Sequence, residues 1–140
     1  MKGFLYISKY LLPFLIAICI FGFSFSFYLS SQIAPSDFQQ GENYRMIFIH
    51  VPAAWLSMFC YTLVGFYSAL YIIFRNFLMD ILALVNAFIG IVFTVITLLT
   101  GCLWGYPVWG TYWVWDARLV SFLVLFFLYI GYLLLRKFLA

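Results

Sequence analysis

The chain has 140 residues, 68% of them hydrophobic and only 8% charged, with a mean hydropathy of +1.13. So few polar side chains cannot coat a soluble domain, so the composition excludes one and points to an integral membrane protein. The formal net charge is +3, and no basic stripe points to nucleic acid as a partner.

A helix needs ~20 apolar residues to cross the hydrocarbon core. The first stretch that qualifies is about 10–29. Lys2 and Lys9 precede it as they would a secretory signal, but it outruns the ~7–15 residues of a signal core and no A-x-A site follows. It reads as a retained first helix. The second stretch, about 47–74, opens on NYRMIFIHVPAAW, which carries the single histidine, His50, one turn inside the helix and just before Pro52. Within it, Gly65 and Ala69 form a small-xxx-small pair suited to close packing. The third, about 81–103, carries Asn86, Thr94, Thr97 and Thr100, which are expected to hydrogen-bond between helices. The fourth is about 119–135. None of the four alternates with the period of a barrel strand. The expected fold is all-α: a polytopic transmembrane bundle of four helices, one membrane domain over 1–140.

Lysine and arginine give the orientation. With the N-terminus inside, the inner side holds Lys2, Lys9, Arg75, Arg136 and Lys137, and the outer side only Arg45 and Arg118. The positive-inside rule then puts both chain ends in the cytoplasm. The links 30–46 and 104–118 face outward and the tight turn 75–80 faces inward. Cys19, Cys60 and Cys102 are far apart, with no CxxC and no CxxCH, so they read as small packing residues. A disulfide framework, a thiol-exchange site and covalent haem attachment are not expected of them.

The outer link 104–118 belongs to the segment GCLWGYPVWGTYWVWDARL, which gathers Trp104, Trp109, Trp113 and Trp115, four of the five tryptophans. The ordinary reading of membrane tryptophan is an interfacial belt. A belt spreads over both interfaces, whereas these share one link. The high Phe and Tyr content follows AT-rich coding; tryptophan, with its single TGG codon, does not. Gly101, Gly105, Pro107 and Gly110 break the segment, with Pro107 expected to fix a turn and the glycines to allow close approach. Such a segment can offer ring faces to a flat, apolar ligand with a polar edge.

His50 and this segment fall at the same outer face, because an even number of crossings separates them. A histidine in a membrane helix is costly to bury and reads as functional, here as an axial ligand to iron. Its bland alternative is an imidazole bonded to a backbone carbonyl. Asp116 is a candidate N-cap for the fourth helix. Arg118 lies in that helix's first turn, where the dipole disfavours a cation. It therefore answers an anion, either Asp116 or a ligand carboxylate. Arg45 stands at the same interface, with snorkelling as its ordinary explanation. Together these groups suit a ligand that is planar, apolar, metal-bearing and anionic at one edge, a description that haem meets.

The string from Trp104 to Leu119 resembles the tryptophan-rich WWD signature of the haem-handling proteins of cytochrome c maturation. HVPAAW from His50 to Trp55, with Tyr44 and Arg45 upstream, looks like the first histidine region of the haem exporter protein C branch. The resemblance covers essentially the whole chain. It implies a membrane subunit that binds haem b non-covalently and presents it at the periplasmic face of the inner membrane. The expected partners are the membrane and ATPase subunits of an ABC-type haem exporter, a periplasmic haem chaperone and the bilayer. By carry-over, His50 corresponds to the first axial histidine. Trp104, Trp109, Trp113, Trp115 and Asp116 correspond to the platform, while Arg118 and Arg45 contact propionates or the chaperone. Family members have six helices and a second axial histidine after the fourth, so this chain corresponds to the N-terminal four-helix part.

Two other classes compete with this one. A structural membrane subunit, or a non-functional fragment, would use the tryptophans only as anchors. An enzyme has little support: Asp80 and Asp116 fall on opposite sides of the membrane, and no acid–base or nucleophile–base pair can be assembled. The chain is expected not to be an enzyme.

Overall fold

The computed structural model describes residues 2–139 and the side chains of 6–138. Met1, Ala140 and the Lys2 side chain, counted above among the inner charges, lie outside the described residues. Four long helices form, and all four are long and apolar enough to cross a membrane. They are α1 (Lys2–Tyr28), α2 (Ile47–Phe74), α3 (Phe77–Trp109) and α4 (Ala117–Leu139). No strand is present among the described residues.

α2 and α3 form the body of the bundle. Their two-residue connection forces them antiparallel. Arg75 takes the left-handed conformation at φ 51° and its N–H bonds the Tyr71 carbonyl at 2.8 Å, ending α2. Asn76 starts α3 by accepting from the Leu78 N–H at 3.0 Å. The contact seam is made of small residues spaced alternately by three and four. Ala53, Ser57, Cys60 and Val64 of α2 meet Ala83, Ala87, Gly90, Thr94 and Thr97 of α3. Small side chains let the two backbones approach closely, which is how helices associate where lipid is as apolar as leucine. Gly65 and Ala69 are exposed and do not supply this packing, although the small-xxx-small pattern pointed to them. The buried row lies on the other side of α2, set by the phase of residue 64 rather than 65.

The threonines divide. Thr94 bonds Ser57 across the seam at 2.6 Å, and Thr100 meets His50 at 3.0 Å. Thr97 and Asn86 turn back onto carbonyls of their own helix, those of Phe93 and Leu82.

α4 is fastened to both. Tyr129 is fully buried, and its hydroxyl crosses α3 to donate to the Ser57 carbonyl of α2 at 2.7 Å. It passes directly over Gly90, where a Cβ would lie 2.0 Å from the phenol oxygen. At the end of the bundle that holds the α2–α3 turn, Arg136 grips Asp80 through both oxygens, tying the end of α4 to the start of α3.

α1 differs. It lengthens through a π turn at Leu29–Ile33, closed by Ala34 N–H on the Leu29 carbonyl at 2.9 Å. Its apolar stretch remains uncovered along its whole length. α3 also outruns its expected end at 103. It continues through Pro107 to Trp109 and stops at Gly110, left-handed at φ 71°. Membrane helices tolerate proline, and Gly110 gives the true stop. Trp104 and Trp109 therefore stand on helix, and the connecting link shortens to 110–116.

Candidate functional site

The site forms where α2, α3 and α4 end together beside the link 110–116. His50 reaches it from the second turn of α2. Its ring lies against α3, with Nδ1 3.0 Å from Thr100 Oγ1. Gly101 makes this approach possible: a Cβ there would stand 3.1 Å from His50 Cε1. Trp104 meets the imidazole edge-to-face, with ring centres 5.7 Å apart. Trp104 is itself fixed by its indole N–H, which donates to Gln40 Oε1 at 2.7 Å. Gln40 comes from the link between α1 and α2, so three segments converge on one histidine.

One turn further along α3, the Trp109 ring folds back over Gly105, where a Cβ would be 2.6 Å from ring carbons. The Arg118 guanidinium stands 5.7 Å from the centre of that ring, a cation–π distance. His50, Gly101, Trp104, Trp109, Arg118 and Phe122 are among the residues that line a cavity of about 480 Å³. It is walled mainly by aromatic and apolar groups, with an imidazole on one side and a cation on another.

Asp116 caps α4 as its position suggested, its Oδ1 accepting from the Leu119 N–H at 2.9 Å. Its other oxygen holds Arg118 through the NH2 nitrogen at 2.7 Å. The Leu119 amide, and then Arg118, hold the Asp116 carboxyl below its ordinary range. A carboxylate whose folded pKa is depressed stabilises the fold above its unfolded pKa, and loses that effect as pH falls through the folded value. The cap should thus survive mild acid. In an acid titration followed by NMR, the Leu119 amide signal should move with a midpoint below that of an unperturbed Asp. A midpoint at or above that value contradicts the cap.

Trp113 and Trp115 do not line the cavity. They pair edge-to-face in the adjoining link, ring centres 5.6 Å apart, with the Trp113 indole nitrogen buried without a partner and Trp115 80% exposed. Arg45 is elsewhere too. Its guanidinium donates to the carbonyls of Ser30 and Ser31 and pairs with Glu42, clamping the end of α1 to the turn before α2. The structure thus gathers His50, Trp104, Trp109 and Arg118 in one cavity and reaches Asp116 through Arg118. It adds Gln40, which carries no local signal in the sequence, and Gly101 and Thr100, whose residue types signal only backbone freedom and helix contact.

Residues 1–140 match the family described as "Heme exporter protein C" (CcmC). The chain belongs to the heme exporter protein C family. A ccmC-like mitochondrial protein of Marchantia polymorpha, named for cytochrome c biosynthesis, is 50% identical over 126 residues, which is 90% of this chain and 55% of that protein. Heme exporter protein C of Bradyrhizobium diazoefficiens is 46% identical over 134 residues, 96% of this chain and 51% of its own. That of Escherichia coli K12 is 46% identical over 112 residues, 80% of this chain and 42% of its own. The chain spans about half the length of the curated relatives it matches.

Proposed function

We propose that this chain binds haem b non-covalently and presents it at the outer face of a bacterial or organellar inner membrane for maturation of c-type cytochromes. One observation carries the reading: the only histidine stands edge-on to Trp104 in an aromatic-walled cavity at the helix ends. Imidazole is a ligand for haem iron, aromatic faces suit a flat macrocycle, and a guanidinium suits a carboxylate. The residues present fit haem. His50 has room beside Gly101 to offer a ring nitrogen, and Trp104 and Trp109 supply apolar wall. Arg118 is held by Asp116 in an exposed pair, 78% accessible on the arginine side. Exposed pairs of this kind are weak, so exchanging Asp116 for a propionate costs little. Trp113 and Trp115 extend the platform along the link. Arg45 secures α1 instead of facing the cavity.

The names of the relatives, heme exporters and a mitochondrial cytochrome c biosynthesis protein, agree with this reading. In it, the chain works with the membrane and ATPase subunits of an ABC-type haem exporter and passes haem to a periplasmic chaperone. Both chain ends face the cytoplasm. Arg75, Arg136 and Lys137 then lie at the inner end and Arg45 and Arg118 at the outer. A reporter fused after Gly110 should be active only in a form that requires export. Activity from a cytoplasm-dependent reporter at that position would invert the topology.

The test is a haem titration of the purified monomeric chain in nanodiscs. Six-coordinate low-spin iron needs two strong axial ligands, and this chain has one histidine. Met46 is too close along the chain to reach the opposite face of the same iron. The expected spectrum is weakly bound and five-coordinate, turning low-spin when free imidazole is added. A bis-histidine spectrum from the isolated monomer would overturn the reading. A structural subunit with no haem of its own is the second reading, favoured by the exposure of Trp115. It requires that Trp113→Ala and Trp115→Ala alter assembly alone; weaker haem retention in either excludes it.

A further inference from the structure

We infer that Thr100 is a positioning residue for the iron ligand, holding His50 in the tautomer that carries its proton on Nδ1 and leaves the lone pair of Nε2 for the metal. The inference rests on the haem-binding reading above, but its basis is the hydrogen-bond network alone.

Thr100 Oγ1 lies 3.0 Å from His50 Nδ1. Either atom could donate if the pair were isolated, but it is not. The Thr100 hydroxyl is 2.7 Å from the Ile96 carbonyl and 3.2 Å from that of Thr97. Carbonyl oxygens only accept, so the hydroxyl proton is committed to its own helix. The threonine oxygen then faces Nδ1 with lone pairs, and the proton between them belongs to the imidazole.

The ring cannot readily turn to exchange its nitrogens. Gly101 stands against Cε1 and Nδ1, and Trp104, locked by Gln40, meets the ring edge-to-face. The helix therefore sets three things in five residues. Thr100 chooses the tautomer, Gly101 makes room and Trp104 fixes the ring's edge. A hydrogen bond to the far nitrogen of a metal-bound imidazole also raises its basicity, and losing such a bond typically weakens metal retention 10–100-fold. Free histidine in water prefers the other tautomer, so removing Thr100's oxygen should have a visible consequence.

The test uses the full chain in nanodiscs, without haem, with ¹⁵N-labelled histidine at alkaline pH where the ring is neutral. With one histidine, the spectrum needs no assignment. The wild type should show a protonated Nδ1 and an unprotonated Nε2. Thr100→Ser should keep that pattern, and Thr100→Val, which preserves side-chain shape, should move it toward a protonated Nε2. An Nε2–H tautomer in the wild type, or an unchanged pattern in Thr100→Val, overturns the inference. A second arm loads ferrous haem and reads the iron–histidine stretch by resonance Raman. It should fall in Thr100→Val and not in Thr100→Ser, with haem retention weakened about tenfold in Thr100→Val alone. An equal stretch in all three proteins counts against the inference. If no variant takes up haem, the haem-binding reading fails while the nitrogen spectra still judge the tautomer.

Discussion

His50→Ala should abolish the axial nitrogen signal of bound haem and lower haem affinity by more than ~100-fold. Even the groups that merely orient a metal-bound histidine are worth 10–100-fold in affinity, so the ligand itself should exceed them. His50 is the only imidazole in the chain, and Met46, four residues before it at the N-cap of α2, cannot replace it. The fold should survive, because the ring is only partly buried and its neighbour Gly101 imposes no packing demand once the ring is gone. What remains is the aromatic cavity, which can hold a flat apolar molecule weakly without ligating it. The measurement is paired haem titrations of wild type and variant, followed optically and by EPR. Trp104→Ala, by contrast, should weaken retention and leave the ligand unchanged, since Trp104 packs edge-to-face with the imidazole and supplies no ligand atom.

The second large effect concerns folding. Gly90→Ala should destabilise the bundle by about 3 kcal/mol, at the upper end of the usual cost of overpacking. The added methyl would lie 2.0 Å from the Tyr129 hydroxyl and 2.3 Å from the ring carbon bearing it. Neither atom is the free end of a flexible chain. Tyr129 is fully buried, its ring meets Tyr61 edge-to-face at 5.4 Å, and its hydroxyl is held by the Ser57 carbonyl. To admit the methyl, α4 must move off α3 and give up that bond. Tyr129→Phe removes only the hydrogen bond, worth about 1 kcal/mol net. Reversible unfolding in mixed micelles should therefore rank Gly90→Ala well below Tyr129→Phe. Equal stability in the two variants would mean that Tyr129 does not cross α3 at residue 90.

The helices were legible because length and hydropathy suffice for a membrane span, and the spans expected near 47–74 and 119–135 lie within α2 and α4. The end of the third was not. Gly101, Gly105 and Pro107 look like breakers in a soluble sequence, yet here two of them are sites of close ring approach, to His50 and Trp109. Gly110, in the left-handed conformation, was the real stop signal. The inner seam was misplaced for a related reason. A pair such as Gly65 and Ala69 shows that a close contact is possible without saying which side of the helix faces inward. The run Ala53, Ser57, Cys60, Val64 carries that phase, and it reads only against its partner run on α3.

The Asp116 cap is readable from residue type and position, and so is the meeting of His50 with Trp104 and Trp109 at one end of the bundle, while Trp113 and Trp115 stand in the adjoining link. Arg118 was left with two anions, and the structure places it on Asp116. Gln40 was invisible, because nothing local connects a residue in one link to Trp104 on another helix. For Arg45 the sequence does not show where the π turn after α1 leaves its carbonyls, which is where the guanidinium sits.

The most direct measurement is pulsed EPR of ferric haem bound to the chain carrying ¹⁵N-histidine, with the porphyrin at natural abundance. A ¹⁵N hyperfine coupling from a single axial nitrogen, absent in His50→Ala, is the expected result. Bound haem with no ¹⁵N coupling, or the same coupling in His50→Ala, would contradict the assignment of His50 as the haem ligand.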